Sequence, residues 1–98
     1  MSNTTELTPK EFLSLGIEHV VECDSPKDSE RTYRKKISSK EIYVFVQHYD
    51  TNELIICVHE ADFVHTLKIE RLFKGTIKNM EQLKLICKVI GIPQLNLN

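Results

Sequence analysis

At 98 residues, with 41% hydrophobic and 28% charged residues, the chain has the size and composition of one globular domain, which excludes disorder throughout. Its net charge of −1 excludes a global field that would steer polyanions or membranes toward it. Met1 to Glu6 is polar, without the basic and apolar regions of a secretory leader, and no apolar run approaches the ~20 residues that span a bilayer. Residues 1–7 are expected to form a flexible tail on a single domain of residues 8–98.

In chain order, the first element is a short helix. Thr8 stands at the capping position, Pro9 suits the first turn, and Glu11 can reach back as the second half of a capping box. Phe12, Leu13 and Leu15 supply its apolar side, and Gly16 ends it. From Ile17 to Cys23, the set Ile17, His19, Val21 and Cys23 alternates with Glu18, Val20 and Glu22, the period of a half-buried strand. Asp24 to Ser29 is dense in turn formers. Glu30 to Ile37 reads as a second strand at a charged sheet edge.

The centre, EIYVFVQHYD-TN-ELIICVHE from Glu41 to Glu60, reads as a β-hairpin. A loop at Thr51-Asn52, or at Asp50 to Glu53, sets Tyr49 opposite Leu54, Phe45 opposite Val58 and Val46 opposite Cys57. One face then carries Tyr43, Phe45, Gln47, Tyr49, Leu54, Ile56 and Val58. The other carries Ile42, Val44, Val46, His48, Ile55, Cys57 and His59. Both are mostly apolar, so these strands belong in the middle of the sheet. Phe63 to Ile69 is expected to pair back as another strand, with Phe63, Leu67 and Ile69 on the Tyr43/Phe45 face; a helix competes, because Val64, Leu67, Arg71 and Leu72 fit a helical stripe. Lys74-Gly75 should end it. Asn79, with Gln82 three residues on, caps a helix from Met80 to Ile90 that Gly91 and Pro93 close. Met80, Leu83, Ile86, Cys87 and Ile90 share one face, and Leu85 and Val89 widen it beyond what a single packing surface needs.

The expected fold is therefore α+β: an antiparallel meander of four to five strands, a short N-terminal helix and a C-terminal helix packed on one face. The expected core is Phe12, Phe45, Ile56, Val58, Leu67, Leu83, Ile86 and Ile90.

No constellation of catalytic residues stands out. The cysteines, Cys23, Cys57 and Cys87, are odd in number and widely spaced, without a Cys-x-x-Cys, so neither a disulfide framework nor a zinc knuckle is indicated and a reducing, cytoplasmic protein is expected. Under the expected register, His48 and His59 lie about 13 Å apart, too far to share a metal, with His48 diagonal to Cys57. The three glycines stand alone, so no phosphate-binding loop is present. Neither a metal nor a cofactor is expected.

Two surfaces remain. Arg31, Arg34, Lys35, Lys36 and Lys40 place five of the thirteen basic residues within ten positions, whereas residues 1–30 hold seven acids against two bases. With Tyr33 among them, Arg31, Arg34, Lys35 and Lys36 are candidates for binding an anion, a nucleic acid or an acidic protein. Arg34 and Lys36 should project to one side of the strand, and Arg31 and Lys35 to the other. The second surface is the Ile42, Val44 and Val46 face, which two helices cannot cover as well as the opposite one; it is the candidate for self-association as a homodimer.

The reading that follows is a small non-enzymatic binding or regulatory protein acting through protein–protein contacts. A nucleic-acid-binding accessory protein using residues 31–40 is the alternative, and a small enzyme with a dimer-interface site of His48, His59 and Cys57 the second. Ala61 is the only alanine, and lysine far exceeds arginine. An AT-rich coding sequence tends to give that composition, so a phage or mobile-element protein acting on a host protein fits it.

Overall fold

The computed structural model describes residues 7–61 and 67–93. Helix α1 (Pro9–Ser14) leads into β1 (Glu18–His19), two single 3-10 turns (Val21–Cys23 and Pro26–Asp28), β2 (Glu30–Lys36), β3 (Glu41–His48), β4 (Glu53–Ala61), β5 (Leu67–Thr76) and helix α2 (Met80–Ile90). The five strands make one antiparallel meander in sequence order. Side chains of both helices join the core on the Tyr33/Phe45 side of the sheet, giving the α+β architecture expected from the sequence.

Helix α1 starts as its residues dictate. The Glu11 carboxylate accepts hydrogen bonds from Thr8 N at 2.8 Å and Thr8 Oγ1 at 3.2 Å, and Gly16 takes the left-handed φ of 80° after the last turn. Six residues are too few to hold a helix by propensity alone. Packing supplies the rest. The Phe12 ring stacks on Tyr33 at 3.9 Å between centroids and meets Phe45 edge-on at 6.2 Å, and all three rings are fully buried. Tyr33 Oη donates to Gln47 Oε1 at 2.7 Å, and Gln47 Nε2 donates to the Leu7 carbonyl at 2.7 Å. Leu7 is thus buried and pinned, which corrects its assignment to a flexible tail; residues 1–6 lie outside the described residues.

The strand expected over Ile17–Cys23 is only two residues long. Beyond His19 the chain leaves the sheet because Asp24 replaces a strand neighbour: its Oδ1 accepts from Thr32 N at 3.0 Å, and its Oδ2 meets His19 Nε2 at 2.8 Å. Val21 is consequently exposed rather than half buried. Strand β2 has nearly its expected bounds, and Tyr33 is its one fully buried residue.

The central hairpin keeps its expected faces but not its expected register. His48 pairs with Glu53, Val46 with Ile55 and Phe45 with Ile56, so β4 is displaced by two residues relative to β3. The loop is Tyr49–Asn52, closed by Thr51 N to the His48 carbonyl at 3.2 Å and by Asn52 in a left-handed φ of 63°. A shift of two preserves the parity of both strands, so Tyr43, Phe45, Gln47, Leu54, Ile56 and Val58 are buried together.

Strand β5 runs on through Lys74-Gly75, where a break was expected. Gly75 sits under the Phe73 ring; a Cβ there would lie 2.9 Å from Phe73 Cζ, so the ring occupies the space a side chain would need. Phe73 pairs with Ile56 and Arg71 with Cys57, leaving Leu72 as an extra residue in a β-bulge. The bulge inverts parity, so Ile69 pairs with His59 and is exposed instead of joining the core. Residues 63–66 and the Leu67 side chain, both assigned above, lie outside the described residues.

Helix α2 has the expected bounds. Asn79 Oδ1 accepts from Gln82 N at 2.9 Å, Gln82 Oε1 accepts from Lys78 N at 2.7 Å, and Gly91 terminates it at φ 82°. Replacing the cap, Asn79→Ala, is expected to lower stability by about 1 kcal/mol in urea denaturation. Leu83 and Cys87 are fully buried; Ile86 and Ile90 pack partly buried beside them, and Leu85 and Val89 are exposed. Among the described residues, no helix is long and apolar enough to cross a membrane.

Candidate binding surface

The basic segment separates across the sheet as its alternation requires. Arg34 pairs with Val44 and Glu18, and Lys36 with Ile42, on one face; Arg31, Tyr33 and Lys35 belong to the other. Arg31 lies over the Tyr49 ring at 4.3 Å, a cation–π contact, and the Lys35 ammonium approaches Gly16. Tyr33 is wholly buried beneath Phe12, so it has no ring face to offer a nucleobase. This corrects its place among the candidate binding residues and divides the segment into two small groups rather than one basic patch.

The other candidate surface is continuous. Opposite the core, the register lays out four strands in four rows. The first row is Glu30, His48, Glu53 and Thr76, and the second is Thr32, Val46, Ile55 and Lys74. The third is Arg34, Val44, Cys57 and Arg71, and the fourth Lys36, Ile42, His59 and Ile69. The middle columns, from β3 and β4, are apolar over Val46, Ile55, Val44, Cys57 and Ile42. None of these five side chains belongs to the core cluster, into which both helices pack from the far side. Beyond the first row, which holds the carboxylates of Glu30 and Glu53, the charged residues of the outer columns are cationic: Arg34 and Lys36 on β2, and Arg71 and Lys74 on β5, all exposed.

The charges on this face have identifiable neighbours. Arg34 Nε pairs with Glu18 Oε1 at 3.1 Å across the sheet edge. His48 lies between two carboxylates, with Nε2 2.9 Å from Glu30 Oε2 and Nδ1 3.7 Å from Glu53 Oε1. Nδ1 is itself buried and makes no hydrogen bond among the described residues. Among those residues Lys36, Arg71 and Lys74 form no ion pair.

The two-residue shift in register also moves the titratable groups apart. Cys57 stands opposite Val44, four residues from His48, or about 13 Å, and His59 opposite Ile42, six residues or about 20 Å away. His48 and Cys57 are therefore not the diagonal neighbours expected. Among the described residues, no three His, Cys, Asp or Glu side chains come together as a metal site. A shallow pocket of about 310 Å³ at the far end of the sheet is lined by Val58, Glu60, Ile69 and Glu70, with both carboxylates exposed to solvent.

Burial pushes the Cys57 thiol pKa up, with Arg71 opposing part of the rise, and pushes Cys87 up to about 11. Both are held as protonated thiols at neutral pH, and Cys23 is the exposed one. Iodoacetamide at pH 7.5, read by mass spectrometry, is expected to label Cys23 readily and Cys57 slowly. Cys87 should be labelled only after unfolding. Comparison with protein-family models, with curated proteins and with solved structures gives no match for this chain.

Proposed function

We propose that this chain is a small non-enzymatic binding protein, acting through protein–protein contacts made by the sheet face of Ile42, Val44, Val46, Ile55 and Cys57. The observation that carries the reading is that both helices pack on the opposite face, while an aliphatic strip on the two central strands stays outside the core. Central strands with apolar side chains on both faces are stable when each face is covered. A partner, whether a second copy in a homodimer or a protein of a host cell, would cover this one.

The nucleic-acid alternative is weakened by the burial of Tyr33, since the remaining basic side chains divide between two faces. The enzyme alternative is weakened by the separation of His48, Cys57 and His59 along the strands.

Affinity capture from a cell extract, run in parallel with wild type and Val44→Asp, tests the reading, with circular dichroism confirming that both are folded. A protein retained by wild type and lost from the variant is expected. Identical retained sets would end the assignment of binding to this face.

A further inference from the structure

Resting on the reading just given, we infer that the occupant of the open face is an amphipathic helix with acidic flanks. Neighbouring strands lie about 4.8 Å apart, so the β2 and β5 columns are separated by about 14 Å, and a helix is about 10–12 Å across. A helix laid along β3 and β4 would set an apolar ridge on Val44, Val46 and Ile55 and its flanks against Arg34 and Lys36 on one side and Arg71 and Lys74 on the other. Carboxylates on those flanks would meet cations at the rim, where charge sets specificity and the rate of association. This is helix-in-groove recognition, with ridge residues spaced i, i+3, i+4 and i+7.

The same charges disfavour a second copy. In a face-to-face dimer with aligned strands, a two-fold axis along the strands sets Arg34 of one copy over Arg71 of the other. An axis across the strands sets Lys74 over Arg71 and also Glu30 over Lys36, so charge opposes this arrangement less than the first. Either arrangement opposes cations across a sheet spacing of about 10 Å. Single-stranded nucleic acid would find the cations but no Phe, Tyr or Trp ring on this face, whose only rings among the described residues are the half-buried imidazoles of His48 and His59 at its two ends.

The test is selection from a display library of random 16-residue peptides on the immobilised full chain, followed by anisotropy with the enriched peptides, and light scattering of the chain alone. Enriched sequences should combine helically spaced Leu, Ile, Val or Phe with Asp and Glu. Their binding should weaken about tenfold in Lys36→Glu/Lys74→Glu, whose two changes lie on the exposed rim, and weaken with added salt. Peptides that lose binding in Val44→Asp but carry no acidic bias, or bind the charge-reversed variant equally well, would overturn the acidic helix while leaving the open face as the binding site. Peptides indifferent to Val44→Asp would overturn both. A salt-insensitive dimer closed through Val44, or a single-stranded oligonucleotide bound more tightly than any peptide, would replace the acidic helix with that occupant.

Discussion

Phe12→Ala is expected to lower the stability of the domain by about 3–5 kcal/mol, read as a fall in the urea midpoint at unchanged slope. A domain of this length has only about 5–15 kcal/mol in total, so the variant stands near the threshold of folding. The size of the effect follows from where the ring lies. Phe12 is fully buried, stacked on Tyr33 and edge-on to Phe45, and it is the buried residue that attaches a six-residue helix to the sheet. Its removal leaves a cavity and releases α1, since so short a helix has little stability of its own. Leu13→Ala, on the exposed side of the same helix, is the control and should change stability by less than about 0.5 kcal/mol.

Gln47→Leu should be nearly as damaging, at about 2–4 kcal/mol, although it puts an apolar side chain into an apolar core. Gln47 is the one buried polar side chain of the described core; it accepts from Tyr33 Oη and donates to the Leu7 carbonyl. Leucine can do neither, and a buried group that loses its partner costs about 1–3 kcal/mol. A double-mutant cycle with Tyr33→Phe isolates the shared bond. The two changes should be sub-additive by about 1 kcal/mol or more, because the second removes a group the first has already deprived of its partner. Additive effects would mean that the 2.7 Å contact contributes nothing to stability. Limited proteolysis of Gln47→Leu should also cut near Leu7 earlier than in wild type, since that carbonyl would have lost its anchor.

What could be read from the residues, and what could not, follows from the range of the interactions involved. Helix α2 was legible because its signals are local: Asn79 and Gln82 at one end, Gly91 at the other, and a helical stripe between them. The faces of the central hairpin were legible because alternation depends only on parity. The register was not, because it depends on how a loop closes, and a left-handed Asn52 with a four-residue loop displaced every pair by two. Ile69 moved to the open face because one bulged residue, Leu72, inverts the strand's parity, and nothing in the neighbouring sequence announces it. The short β1 reflects a tertiary hydrogen bond, Asp24 to Thr32, that periodicity does not register.

The candidate surface divides along the same line. Ile42, Val44 and Val46 could be named as an apolar face because they alternate within one strand. Of the cationic frame, Arg34 and Lys36 could be named from their alternation, but Arg71 and Lys74 could not, since they come beside that face only through the register of β4 with β5. Tyr33 looked like an exposed aromatic among cations because Arg31 stands two residues before it and Arg34, Lys35 and Lys36 follow it directly. Its burial depends on Phe12, which is distant in sequence.

The most direct test of the open-face account is hydroxyl-radical footprinting of the full chain, free and saturated with a selected acidic peptide, read residue by residue by mass spectrometry. Val44, Val46 and Ile55 should be oxidised in the free chain, while the fully buried Phe45 and Ile56 should not. The peptide should then protect the first group and leave the exposed Leu85 and Val89 unchanged. An open face already silent in the dilute free chain, or protection that falls on Leu85 and Val89 instead, would contradict it.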